Sequence, residues 1–137
     1  MALRVDSLTI DCADPLALAE FWGAAMGYEV ETGKNEAETG EAEVWALARD
    51  PATRWYIYFQ QVPESKNAKN RLHLDVRPSG TRDEEVARLQ ALGATVVEGF
   101  GGPKATWTVM RDPEGNEFCV LRGPEDPIPP GASAVEA

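Results

Sequence analysis

The chain repeats itself, and any fold must give the two copies equivalent surroundings. Ser7-Leu8-Thr9-Ile10-Asp11-Cys12 is matched by Arg71-Leu72-His73-Leu74-Asp75-Val76. Both alternate polar and apolar with a period of two, which predicts two half-buried strands. Leu8, Ile10 and Cys12 are expected to face a helix, as are Leu72, Leu74 and Val76. Ser7, Thr9 and Asp11 then share the opposite face, matched by Arg71, His73 and Asp75. A helix follows each strand. Asp14 can cap the first, with Pro15 at its first position, where a missing N–H costs nothing. Leu18, Phe21, Trp22 and Ala25 form its apolar stripe, and Gly27 ends it. Thr81 and Glu84 form a capping box for the second, with Val86, Leu89 and Leu92 as its stripe and Gly93 as its end.

Further strands are expected near Tyr28–Thr32 and Thr95–Glu98. Val44–Pro51 and Thr106–Pro113 match next, Trp45 with Trp107 and Arg49-Asp50-Pro51 with Arg111-Asp112-Pro113. Each is a strand entering a proline turn. The last strands are Trp55–Gln61 and Glu117–Leu121. The fold class is therefore α+β, with two β-α-β-β-β modules over 1–61 and 70–122 joined by a linker over 62–69. One such unit cannot cover its own sheet, so the two are expected to form one body. Glu31 to Glu43 reads as a solvated loop or a loose hairpin end, and 123–137, rich in Pro, Gly and Ala, as a poorly ordered tail.

The 137 residues leave room for one domain with its own core. The net charge of −10 argues against nucleic acid and anionic membranes and permits a cationic ligand. No apolar run approaches the roughly 20 residues of a membrane span. The N-terminus alternates like a strand and does not read as a signal peptide. Two cysteines, Cys12 and Cys119, are too few for a disulfide framework. They are expected on opposite faces and unpaired. A cytoplasmic location follows as the default.

The paired units, together with Asp-Pro-Glu-Gly-Asn-Glu-Phe at 112–118, resemble the vicinal oxygen chelate superfamily. Val62-Pro63-Glu64 followed by Asn70–Asp75 is similar to its glyoxalase-like branch. The resemblance covers Leu3 to Arg122. It implies two half-barrel modules around a concave pocket, and a homodimer that can exchange modules. In metal-dependent members the ligands lie on the first and last strands of each module. Those positions fall on Ser7, on Arg71 and on Cys119, with Tyr56, Tyr58 or Gln60 as the remaining one. Serine and a permanent guanidinium are poor company for a divalent cation. The expectation is no metal and no other cofactor, and hence no glyoxalase I chemistry.

The candidate site residues each carry two readings. Arg71 can anchor a ligand carboxylate or phosphate, or pair internally with Asp11 or Asp75. His73 can move protons, oriented by Asp75, or be a hydrogen-bonded pocket histidine. Trp45 and Trp107 can wall an aromatic or cationic ligand, or simply pack on their sheets. Cys119 can be a nucleophile activated by Arg71, or an inert thiol. The leading expectation is a small-molecule-binding protein that sequesters or acts on an aromatic or cationic metabolite. Ser7, Thr9, Trp45, Tyr58, Gln60, Arg71, Trp107 and Cys119 would form its pocket. The alternative is a lyase or isomerase in which His73, helped by Asp75, transfers a proton beside a carbonyl. A purely structural homodimer is the third class.

Overall fold

The computed structural model describes residues 1–36, 42–98, 106–128 and 130. It divides into two compact units, Met1–Lys66 and Asn67–Ala137.

The first unit runs β1 (Ser7–Cys12), α1 (Pro15–Met26), β2 (Glu29–Glu36), β3 (Ala42–Arg49) and β4 (Tyr56–Gln61). Its sheet has the order β1-β4-β3-β2, with β1 parallel to β4 and the other pairs antiparallel. Ala46, Ala48, Ile57 and Phe59 are fully buried on the face that meets α1. The two alanines leave room for Leu18, Phe21 and Trp22 of the helix, which are also buried. Burial of a side chain such as Phe59 contributes about 1.5–3 kcal/mol. Asp14 caps α1 by accepting from the Ala17 N–H at 3.1 Å, Pro15 is its first residue, and Gly27 ends it with φ +69°.

The second unit repeats this order with β5 (Asp75–Val76), α2 (Arg82–Leu92), β6 (Thr95–Val96), β7 (Trp107–Arg111) and β8 (Glu117–Leu121). Its sheet order is β5-β8-β7-β6, again with the first and last strands parallel. Leu89, Met110, Phe118 and Val120 form its core. Thr81 caps α2, accepting from the Glu84 N–H, and Gly93 ends it with φ +115°.

Three expectations need correction. Strand β5 is two residues long, and Leu72, expected against a helix, is 86% exposed. The ladders show why. Arg49 faces Tyr56 and Arg111 faces Glu117, so Tyr58 corresponds to Cys119. Thr9 faces Tyr58 and Asp75 faces Cys119, so Thr9 corresponds to Asp75, and Ser7 to His73 rather than to Arg71. A slip of two residues preserves the alternation, so the polar–apolar pattern is blind to it.

Second, of the two readings of the acidic segment the hairpin holds and the loop does not. Strand β2 runs to Glu36 and β3 begins at Ala42, with 37–41 outside the described residues. Third, the tail begins as ordered chain. Gly123 is buried, and the Asp126 carboxylate accepts from the backbone N–H groups of Arg82 and Gly123, both at 2.7 Å. A Cβ on Gly123 would lie 1.7 Å from the Gly80 carbonyl oxygen, so only glycine fits there. The tail beyond Pro130 lies outside the described residues.

Candidate functional site

In each unit one sheet face is covered by its helix, and the other carries the polar candidates. In the first unit that second face holds Ser7 and Thr9 on β1, Tyr56 and Tyr58 on β4, and Trp45, Leu47 and Arg49 on β3. The buried Ile57 and Phe59 alternate with the half-exposed Tyr56 and Tyr58, which fixes the phase of this strand. Gln60 lies opposite Asp11 near the strand end and is exposed.

This face is engaged with itself. The Arg49 Nε donates to Glu31 Oε2 at 2.8 Å, its Nη1 donates to the Arg54 carbonyl at 3.0 Å, and its guanidinium lies 4.7 Å from the Tyr56 ring centre. The Trp45 ring lies across Gly33 on the neighbouring strand, where a Cβ would come within 2.7 Å of it. Trp45 thus packs on its own sheet.

The second unit is different. Next to β7 and β8 it holds a cavity of about 280 Å³. Val97, Val109 and Phe118 make it apolar, and its polar lining is Lys69, His73, Arg111, Glu117 and Cys119. Of the expected ligand-binding residues Cys119 lines it, and so does His73, the expected proton carrier. Trp107 lies on the same sheet face and is 41% exposed. Arg71 lies in the exposed chain before β5. Among the described residues it makes no salt bridge, so the expected pairing with Asp75 is not formed.

Asp75 pairs instead with His73, Nε2 to Oδ1 at 3.2 Å. With Cys119 these residues offer three donor atoms within 4.8 Å of one another. Burial pushes the Cys119 thiol up, and the Asp75 charge and hydrogen bond push it further, against a smaller opposing effect of Lys69. The charge that governs this thiol is a carboxylate, not Arg71, and it holds the sulfur protonated. Of the two readings of Cys119, this surrounding supports the inert thiol over the activated nucleophile.

The ladders put His73, not Arg71, at the counterpart of Ser7, so no permanent guanidinium occupies that ligand position. Imidazole, carboxylate and thiol together suit a borderline-soft divalent ion such as Zn²⁺ better than Mg²⁺ or Ca²⁺. The first unit's corresponding residues, Ser7, Thr9 and Tyr58, offer only hydroxyls. His73, Asp75 and Cys119 are therefore the residues that would hold such an ion, which would supply Lewis-acid polarisation of a ligand oxygen.

Lys69, Val97, Val109, Arg111 and Glu117 were not singled out from the sequence as site residues. Arg111 had a visible signal, because it repeats Arg49 within Arg-Asp-Pro. The valines had none, since a cavity wall and a core strand carry the same residue types.

Comparison with known proteins agrees with this architecture. The sequence profile of the glyoxalase-like domain family matches residues 7–121. A glyoxalase family protein from Bacillus cereus superposes with a TM-score of 0.64 at 19% identity, over 88% of this chain and 93% of its own. A genomically encoded fosfomycin resistance protein from Listeria monocytogenes gives 0.65 at 16% identity, over 90% and 93%. An antibiotic-binding protein from Streptomyces sp. CB03234 gives 0.59 at 18% identity, over 90% and 98%. At these identities the likeness shows the shared fold. Among the curated proteins no relative matches.

Proposed function

This chain belongs to the glyoxalase-like domain family, and we propose that it binds and sequesters a small organic molecule in the cavity of its second unit. The observation that carries this reading is the 280 Å³ space walled by Val97, Val109 and Phe118. That volume is close to the roughly 300 Å³ at which small-molecule pockets begin. Apolar walls supply affinity and a few polar groups supply orientation, so binding needs no metal. Trp107, exposed on the same sheet face, extends the apolar surface for an aromatic ligand. The antibiotic-binding structural neighbour supports a binding role.

The test is native mass spectrometry on protein purified without a metal-affinity step. The expected result is a retained organic mass that disappears in Val109→Trp, where the new ring fills the space. Protein that carries a stoichiometric divalent ion and no organic mass overturns the metal-free form of this reading.

The His73–Asp75 pair at the cavity favours one other reading, a lyase or isomerase. There His73 would take a proton from carbon beside a carbonyl, Asp75 would orient the ring, and the developing negative charge would face Arg111. Undiminished turnover by His73→Gln on an identified substrate would remove it. A homodimer and a cytoplasmic setting complete the proposal, and sedimentation equilibrium tests the first. Among the described residues no helix is long and apolar enough to cross a membrane.

A further inference from the structure

We infer that the ligand of the second unit is an anion: an apolar, aromatic-sized molecule carrying one carboxylate or similar oxyanion, held by Arg111 with help from Lys69. The inference rests on the ligand-binding reading above and names the ligand's charge.

One arginine position differs between the two units. Arg49 and Arg111 end the matched strands β3 and β7. Arg49 is fully occupied by Glu31, by the Arg54 carbonyl and by the Tyr56 ring. Among the described residues, the Arg111 side chain has no ion pair and no hydrogen bond, and it lines the cavity.

The ladders explain the difference. Glu31 lies opposite Leu47 on β3. The corresponding residue opposite Val109 on β7 is Val97, whose N–H donates to the Val109 carbonyl at 2.9 Å. Glu29 is likewise replaced by Thr95. One exchange, glutamate to valine, therefore removes the arginine's partner and makes the adjoining wall apolar. The remaining internal candidate is Glu117, directly across from Arg111. Its carboxylate accepts from the Asn70 N–H at 3.0 Å, which turns it toward the chain entering β5.

A guanidinium beside apolar walls presents a planar pair of donors suited to a carboxylate. Lys69 adds a second positive charge to the lining. The chain's overall charge of −10 points to a cationic ligand, but at contact distance the local groups outweigh distant screened ones.

The test compares 2-naphthoate with 2-naphthamide by isothermal titration calorimetry. The two probes share shape and differ in charge. A chelator in every solution keeps a cation at His73, Asp75 and Cys119 from capturing the carboxylate. We expect naphthoate to bind about tenfold or more tightly than naphthamide, the size of one charge-assisted contact. Arg111→Gln should erase that preference by weakening naphthoate about tenfold more than naphthamide, and Arg111→Lys should restore part of it. Arg49→Gln should leave it intact. Since Arg111 is exposed, an unchanged melting temperature shows that its variants are folded. Equal or tighter binding of naphthamide, or a preference that survives Arg111→Gln, overturns the anion assignment while sparing the ligand-binding reading. If neither probe binds and no organic mass is retained on purification, both fall together.

Discussion

The two units share an element order and a strand order, yet their open sheet faces are built differently. In the first, charged and aromatic groups satisfy one another: Arg49 with Glu31 and Tyr56, and Trp45 over Gly33. In the second, Val97 stands in the place of Glu31, and a cavity remains. The lesson is that repetition fixes the frame and a few exchanges at matched positions decide which copy can take a ligand. A site argued from repeat symmetry alone would have spread it evenly over both copies.

The largest expected effects test whether the frames are equivalent. Ile57 and Phe118 occupy corresponding helix-facing positions and are buried to within 1%. Each truncation to alanine should cost about 2–5 kcal/mol, read from urea midpoints. A loss below about 1 kcal/mol in either would show that its core collapses around the gap.

Gly33→Ala tests the self-packed face. The new methyl meets the Trp45 ring, and displacing that ring should cost about 1–3 kcal/mol. A neutral result would mean the indole swings away freely, and Trp45 would regain its candidacy as a ligand wall.

The arginine pair gives a smaller and sharper contrast. Arg49→Gln should lose about 1 kcal/mol, because it gives up an ion pair, a carbonyl contact and the Tyr56 ring. Arg111→Gln should stay within about 0.5 kcal/mol of the parent. Equal losses would remove the structural basis for treating Arg111 as reserved for a ligand.

The smallest effect concerns acid. Asp50 is held below the ordinary carboxylate range, first by the Ala52 N–H and then by the Thr53 hydroxyl. A depressed folded value gives stability that is complete above the unfolded value of 3.8 and is lost as pH falls through the folded one. Asp50→Asn should therefore lower stability near neutrality and flatten the acid limb of the curve. An acid limb as steep as the parent's would assign it to other carboxylates.

Much of this frame is readable in the sequence because local chemistry and tertiary context agree. Asp14 with Pro15, Thr81, Gly27 and Gly93 mark helix ends that packing then keeps. The alternation in Tyr56–Gln61 reports its buried face without error. What was hidden follows from what a pattern can encode. A two-residue slip in the first strand of the second unit leaves parity intact, so Arg71 looked like the counterpart of Ser7 when His73 is. The parallel ladder that brings Asp75 beside Cys119 joins residues far apart in the chain. The Glu31-to-Val97 exchange was on the page but had no meaning until the ladders aligned it.

The turn after β8 bears on where this domain can be cut. Family likeness and composition both suggest a boundary at Arg122. Yet Asp126 reaches back to the first N–H of α2, and Gly123 fits against Gly80 where no side chain could enter. Those few residues work as a clasp on the helix they do not belong to. A shortened gene product should therefore end after Asp126, because one ending at Arg122 would leave the first N–H of α2 without its carboxylate partner.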